Sequence, residues 1–434
     1  MLNNMDKARR GIGYWIVVAI VIGLANCVSA QFILSGELRP RAEFRHGYRT
    51  LAGESSSTAI LASQRSRLNL DYKDTNFKVF LSIQDVRVWG DEEQLKDLSS
   101  VALHEAWGEL FVSDKFSLKA GRQELVYDDH RLLGNVNWVQ QGRSHDAVVL
   151  KYKDNGWKAH LGLAYNNASE TLFKTKYTLN NYRVLSFFWL NKTFEEKLKF
   201  SFMALTDGFQ TADSTSNILY RGTIGPHLEL KSGGLQLKST FYYQFGKNAN
   251  HREISAFMFG LYGSYKVNNA TFGAGVDYLS GTDALDAGNE KNKSFHTLYA
   301  TNHKFYGFMD YFLNIPANTR SGGLTDIYGQ VNYKFSSKTA LASTFHYFLL
   351  SDNVIDPENL GKAIDKDLGA EIDLVLNYKI MPRVNIKSGW SVMLPSSSME
   401  VLKGGDKNEF QYWGWMMLTF RPEFFNSTLQ KAGG

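Results

Sequence analysis

LASQRSRLNLDYK (residues 61–73), DTN (74–76) and FKVFLSIQDVRVW (77–89) together state the plan of this chain: an alternating segment, a minimal turn, and a second alternating segment. Successive side chains of a β-strand point to opposite faces. With Tyr72 placed outward, Leu70 and Leu68 share its face, while Asp71, Asn69, Arg67 and Arg65 fall on the other. The same beat runs from Gln31 to Phe420. Short turns recur at Asp74-Asn76, Ser113-Lys115, Asp154-Gly156, Phe194-Lys197, Ser232-Gly234, Val267-Asn269, Ser336-Lys338 and Ile380-Arg383, and the stretches between them are longer and rich in Gly, Asn, Asp and Ser. Short connections on one side of a meander and long ones on the other are the pattern of an outer-membrane β-barrel.

The register repeats along the chain. Tyr72, Tyr152, Tyr265, Tyr333 and Tyr378 each close a segment beside a short turn, and Phe77, Phe116 and Trp157 open the next. Amphipathic rings favour a membrane interface, so these positions predict an aromatic girdle. The first segment sets Leu38, Pro40, Ala42 and Phe44 against Glu37, Arg39, Arg41, Glu43 and Arg45. From Tyr378, parity sends Leu376, Leu374, Ile372, Ala370 and Leu368 outward and Asn377, Asp373, Glu371 and Asp367 inward. The same rule turns Glu105 and Glu109 inward. An arginine near the lipid midplane costs about 2–4 kcal/mol, so the charged face must line a lumen.

Eighteen segments follow: approximately 32–45, 61–73, 77–89, 102–112, 116–124, 143–153, 157–166, 181–192, 198–206, 218–231, 235–246, 254–266, 270–280, 325–335, 339–349, 366–379, 384–393 and 409–420. Tyr299 to Phe312 also has strand character. A nineteenth strand would break both the short-long order and the even count of single-chain bacterial barrels. It is therefore assigned to a long external loop, about 281–323, that folds into the pore or covers it. The expected fold is all-β, a transmembrane antiparallel barrel of about 18 strands with short periplasmic turns and long extracellular loops.

Composition agrees. Aromatic residues reach 14%, there are 7 prolines, and a mean hydropathy of -0.29 argues against a helical membrane bundle. Residues 1–30 read as a signal peptide: Lys7, Arg9 and Arg10, an apolar run from Tyr14 to Ala25, and Val28-Ser29-Ala30 as a small-residue cleavage site. An uncleaved anchor is the alternative, but the apolar run is shorter than the about 18 residues a span needs. Leu24-Ala25-Asn26-Cys27 also resembles a lipobox, with Asn26 unfavourable before the cysteine. Cys27 is the only cysteine, so the mature chain is expected to hold no disulfide or thiolate site. Loss of Lys7, Arg9, Arg10 and Asp6 lowers the formal charge from +5 to about +3. The distribution tells more, because ten of the sixteen mature arginines lie between Arg39 and Arg143. The expected organisation is signal peptide 1–30, barrel 31–420 and C-terminal tail 421–434.

The densest polar stretch runs Gly121-Arg122-Gln123-Glu124, Tyr127-Asp128-Asp129-His130-Arg131-Leu132-Leu133-Gly134, then Asn137-Trp138-Val139-Gln140-Gln141-Gly142-Arg143-Ser144-His145-Asp146-Ala147. It resembles the alginate-export domain family of outer-membrane porins. Asp277-Tyr278-Leu279-Ser280-Gly281, His303 to Tyr311 and Leu368-Gly369-Ala370-Glu371-Ile372-Asp373 extend the likeness over most of the mature chain. The resemblance implies an eighteen-stranded barrel with an arginine-lined, acid-flanked pore for anionic polysaccharide. It carries over Arg122, Arg131, Arg143, Asp146, Glu371 and Asp373 as pore charges. Strand parity adds Arg39, Arg41, Arg65, Arg67, Glu37, Glu43, Glu105 and Glu109. Two departures stand out. Val149 occupies an inward position where the family often has a base. Parity from Phe116 and Tyr152 turns Arg122 and Asp146 outward, so a bulge or strand end is expected to re-aim them.

The function expected is passive diffusion of anionic polysaccharides or organic anions through an arginine-rich pore. Guanidinium forks suit carboxylates, and neighbouring acids would keep binding weak enough for release. Arginine–glutamate pairs that merely fill a polar lumen are the bland alternative. A general or nutrient-uptake porin is the rival function, and a barrel enzyme a more distant one. His104 with Glu105, His130 with Asp128 and Asp129, and His145 with Ser144 and Asp146 could serve an enzyme or a metal. Yet Ser144, His145 and Asp146 alternate faces and cannot converge. No catalytic residue, metal or cofactor is therefore expected, and no nucleic acid, since the bases alternate with acids. The partners expected are outer-membrane lipid and lipopolysaccharide, an anionic saccharide or small organic anion, and periplasmic secretion partners.

Overall fold

In the computed structural model, the described residues are 30–430 except 97–98, 178, 212–216, 249, 287 and 289. The expected signal peptide therefore lies outside them, apart from Ala30. Eighteen strands form a meander: β1 Gln31–His46, β2 Ala59–Lys73, β3 Phe77–Val88, β4 Val101–Phe111, β5 Phe116–Gln123, β6 His145–Asp154, β7 Trp157–Tyr165, β8 Val184–Phe194, β9 Leu198–Gln210, β10 Ile218–Ser232, β11 Leu235–Lys247, β12 Glu253–Val267, β13 Ala270–Leu279, β14 Leu324–Lys334, β15 Thr339–Leu349, β16 Asp367–Met381, β17 Val384–Pro395 and β18 Gln411–Phe420. Each pairs antiparallel with the next, and β18 closes on β1 with Arg41 opposite Met417. Past Phe420 the chain does not simply leave the barrel. Glu423–Asn426 continues the seam along β1, with Ile33 opposite Asn426.

The short turns are built from local chemistry. Asp74 Oδ1 accepts the N–H groups of Asn76 and Phe77, and Ser336 Oγ those of Lys338 and Thr339. Asn155 and Gly156 both have positive φ, 45° and 78°, the mirror-image turn whose twist matches a two-residue hairpin. Aromatic pairs flank these turns, including Tyr72 with Phe77 and Phe116 with Tyr152, as the girdle requires.

Parity holds along most strands. Leu374 and Leu376 are 39% and 40% exposed, whereas Glu371 and Asp373 are 0% and 1% exposed. Among the places where it breaks are two bulges. In β16, Phe348 faces Gly369 and Leu349 faces Asp367, so Leu368 is an extra residue. Leu368 is buried, contrary to its expected lipid-facing position. Gly369 permits this with φ of 104°, where a side chain would meet the Leu394 carbonyl. In β4, Ser82 faces Glu105 and Ile83 faces Leu103, leaving His104 as the extra residue beside Glu105.

Residues 299–312 are not a barrel strand. They lie within the β13–β14 connection, with a short 3₁₀ turn at Asn302–Lys304. This connection and the β5–β6 connection meet inside the barrel. Gly134 N–H donates to the Tyr299 carbonyl, Tyr299 N–H to Leu132, and Thr301 N–H to His130. Leu133, Phe295, Met309, Tyr311 and Phe312 then form an apolar core within the lumen, against Leu279, Leu324 and Phe348. Because the outer face meets lipid, Leu374→Arg should destabilise the barrel by about 2–4 kcal/mol. Urea unfolding in liposomes measures this; a loss below 1 kcal/mol would place Leu374 away from the hydrocarbon.

Candidate functional site

Adjacent β1 and β2 present one basic wall. Arg39 is 3% exposed and donates to the carbonyls of Asn137, Trp138 and Val139 and to Gln140 Oε1. Arg41 binds Glu43 and the Trp138 carbonyl, with its guanidinium 4.2 Å from the Trp138 ring centre. Arg65 binds Glu37, the Gln140 carbonyl and Asn137 Oδ1. Arg67 reaches Gln84 Oε1 and the Gln141 carbonyl. One segment of the β5–β6 loop, Asn137 to Gln141, thus supplies acceptors to all four. Glu37 also takes Arg421, and Glu43 also takes Arg45 and the Trp413 indole N–H.

A second wall, β13 to β16, is acidic. Glu371 accepts the Met309 N–H at 2.8 Å and Asp373 accepts the Phe308 N–H at 3.2 Å. His346 bridges Asp326 and Asp373, at 3.0 and 3.7 Å. Asp277 meets Arg131 of the β5–β6 loop at 2.9 Å, and Arg131 also binds Asp129 and the Tyr306 hydroxyl. Burial opposes the Arg131 charge, but the carboxylates of Asp277 and Asp129 outweigh it and push its pKa up. Arg143 donates to the Ala300 carbonyl. Among the described residues, Arg39, Arg67 and Arg143 have no ion-pair partner, whereas Arg41, Arg65 and Arg131 do.

Some expected site residues lie elsewhere. Arg122 and Asp146 pair bidentately on the outward face, 45% and 59% exposed, on the parity of Leu118 and Val148. The β5–β6 register runs unbroken, so no bulge re-aims them. Glu109 binds Lys151 and Ser117 lower in the barrel, and Glu105 accepts the Trp107 indole and the Glu124 N–H. His145 is buried against Tyr182 while Asp146 faces out, so Ser144, His145 and Asp146 do not converge. Asp128 takes the Trp189 indole and Asp129 takes Arg131, so neither turns to His130. His104, Glu105 and Glu124 bring ligand atoms within 4.8 Å of one another, already joined by a His104–Glu124 hydrogen bond of 2.9 Å. Sequence reading passed over Trp138 and Gln140, which sit in the quoted motif, and Asp277, Asp326 and His346, which share the inward parity.

The β13–β14 loop is anchored at the long-loop rim by Asp310, which accepts from Tyr48 and His303 and lies 3.6 Å from Arg49. Burial alone would raise its pKa; His303, Tyr48 and Arg49 outweigh burial and hold it below the ordinary 3.8. A depressed carboxylate stabilises its folded contacts above its unfolded pKa and loses that stabilisation as pH falls through the depressed value. Bilayer conductance should therefore stay level from neutral pH down to about 4 and rise below it. Asp310→Asn should abolish that acid rise; an unchanged profile would exclude Asp310 as the anchor. Trp138 stacks on His303 at 4.4 Å and meets Trp413 and Trp415 edge-on. Trp138 is partly buried and packs against the core, so Trp138→Ala should loosen the loop and raise single-channel conductance. Conductance equal to wild type would show that the loop does not obstruct the path.

Residues 30–396 match the alginate export family. Among solved structures, OccAB1 of Acinetobacter baumannii aligns with a TM-score of 0.62 at 10% identity, over 91% of this chain and 97% of its own. OccAB4 of the same organism aligns at 0.60 and 15%, over 92% and 100%. OpdL of Pseudomonas aeruginosa aligns at 0.59 and 15%, over 91% and 99%. At such identities the likeness is one of fold. No protein with a curated description matches the chain. A family match over most of the chain and a closed eighteen-stranded barrel with an arginine wall agree, and the chain belongs to the alginate export family of outer-membrane barrels.

Proposed function

We propose that this outer-membrane barrel is a passive channel for anionic polysaccharides or organic anions, selected by the arginine wall. The observation that carries the proposal is the uncompensated charge of Arg39, Arg67 and Arg143, each bound only to neutral acceptors among the described residues. A carboxylate adds charge–charge attraction and a bidentate fit to the guanidinium donors, neither of which a carbonyl offers. An incoming uronate could therefore replace the loop carbonyls of Asn137 to Gln141 on the same donors. The loop holds those donors extended until the exchange occurs. Glu37, Glu43, Asp129 and Asp277 hold Arg65, Arg41 and Arg131 in place and temper the field, so that binding stays weak enough for exit. A lumen crossed by two loops favours a selective channel over a general porin. In this reading residues 1–30 are removed near Ala30 before the barrel assembles.

Reversal potentials in a planar bilayer test the proposal. Wild type should prefer anions, and oligouronates should block the current. Arg39→Gln, Arg67→Gln and Arg143→Gln combined should abolish the preference. Cation preference in wild type, or selectivity unchanged in the triple variant, would refute it.

A further inference from the structure

The arginines of the β1–β2 wall already hold internal acceptors. Among the described residues, three lysines at the periplasmic end do not. Lys266 of β12 faces Thr271 of β13, which faces Asn332 of β14 and then Ala342 of β15. In the adjoining inward row, Lys334 of β14 faces Ala340 of β15, then Asn377 of β16 and Lys387 of β17. Small side chains at Ala340 and Ala342 leave a hollow between the lysines. The resulting cavity is about 560 Å³ and also takes in Asn269 from the short turn after β12. That volume is in the range of small-molecule sites, about 300–1,000 Å³.

Its chemistry is one-sided. Among the described residues no Asp or Glu lines it. Among the described residues, Lys266, Lys334 and Lys387 form no ion pair and no side-chain hydrogen bond is found for them or for Asn269, Asn332 and Asn377. Three ammonium groups facing a low-dielectric wall concentrate anions, and their flexible stems let the charge follow a ligand. The asparagines offer paired donors and acceptors that suit vicinal hydroxyls. Thr271 and Asn332 also line a second cavity of about 490 Å³, which Lys304, Phe305 and Phe308 of the inserted loop border. The hollow thus adjoins the chamber that leads to the loops.

We propose that Lys266, Lys334 and Lys387, with Asn269, Asn332 and Asn377, bind a carboxylated saccharide at the periplasmic mouth, as a loading site separate from the arginine wall. The lysines take the carboxylates and the asparagines the hydroxyls. The proposal extends the channel reading to a second site, and its test stands apart from selectivity.

Titration calorimetry of the detergent-solubilised barrel with a tetrameric uronate provides the test. Lys266→Gln, Lys334→Gln and Lys387→Gln combined should weaken binding at least tenfold, with the heat-modifiable gel shift of a folded barrel retained. Wild-type affinity should fall steeply as salt rises. A neutral oligosaccharide of equal length should not bind. Asn332→Ala with Asn377→Ala should weaken the uronate oligomer while leaving acetate binding unchanged. Equal affinity in the triple lysine variant, or equal binding of the neutral oligomer, would overturn the site. Equal losses for uronate and acetate in the asparagine variant would overturn its assignment to a saccharide. The Arg39→Gln, Arg67→Gln, Arg143→Gln variant separates the two ideas. Uronate binding retained there while anion preference disappears supports the separate site, whereas binding lost with the arginines alone overturns it. Anion preference retained in the triple lysine variant together with unchanged binding sinks this proposal and leaves the channel reading intact.

Discussion

A buried guanidinium must have acceptors, and the interior of this barrel is organised around that requirement. Desolvating a charge costs several kcal/mol unless its donors are met. Arg39, Arg41, Arg65 and Arg67 crowd two adjacent strands, and the carboxylates beside them pair with Arg41 and Arg65 but leave Arg39 and Arg67 without an ion pair among the described residues. The remaining acceptors are side-chain amides and the peptide carbonyls of a loop turned into the lumen. The acidic wall poses the converse demand. Glu371 and Asp373 need donors, and the N–H groups of Met309 and Phe308 supply them. An amide carries both kinds of group, so two loops can bridge walls of opposite sign. Their mutual pairing at Gly134, Tyr299 and Thr301 completes the bridge.

The apolar core within the lumen follows from that electrostatic placement. Once the loops are fixed to both walls, Phe295, Met309, Phe312 and Leu133 have no water to face and pack together. The bulge at Leu368 belongs to the same solution. By turning one leucine from the lipid face inward, it adds an apolar residue to the buried interior close to where Glu371 receives the loop. A bulge is well suited to this, because it changes the facing of one residue while the strand beyond keeps its register.

The barrel was legible in the chain because lipid imposes a strict period of two. Any position facing hydrocarbon must be apolar, so alternation and short turns fix strand number, order and facing together. The assignment of residues 299–312 to a loop followed from the even count and the short-long order of the connections. What alternation cannot show is a departure from it. Leu368 reads as lipid-facing because nothing local distinguishes it from Leu374 except the following glycine. Motif likeness misleads in the opposite way at Arg122 and Asp146, where simple parity gives the observed outward facing. The loop–wall contacts were hidden for another reason. Trp138 and Gln140 lie about a hundred residues from Arg39 and Arg41 in sequence, and no local pattern encodes which loop enters a lumen.

Two kinds of positive charge therefore coexist in this barrel, and they differ in what a mobile anion must displace. At the arginine wall a ligand must exchange with the Asn137 to Gln141 carbonyls. The gain is only the difference between a charged and a neutral acceptor, and the cost includes freeing a loop packed through Trp138. Such exchange favours ligands that present several carboxylates in succession, since each can take over donors as the loop withdraws. At Lys266, Lys334 and Lys387 no internal acceptor among the described residues stands in the way, so a single carboxylate would meet only water. Flexible lysines suit capture and the planar, loop-held arginines suit discrimination. A polymer that engages the lysines first would approach the loop with its charges already concentrated beside the barrier, which lowers the demand on any one contact to open it.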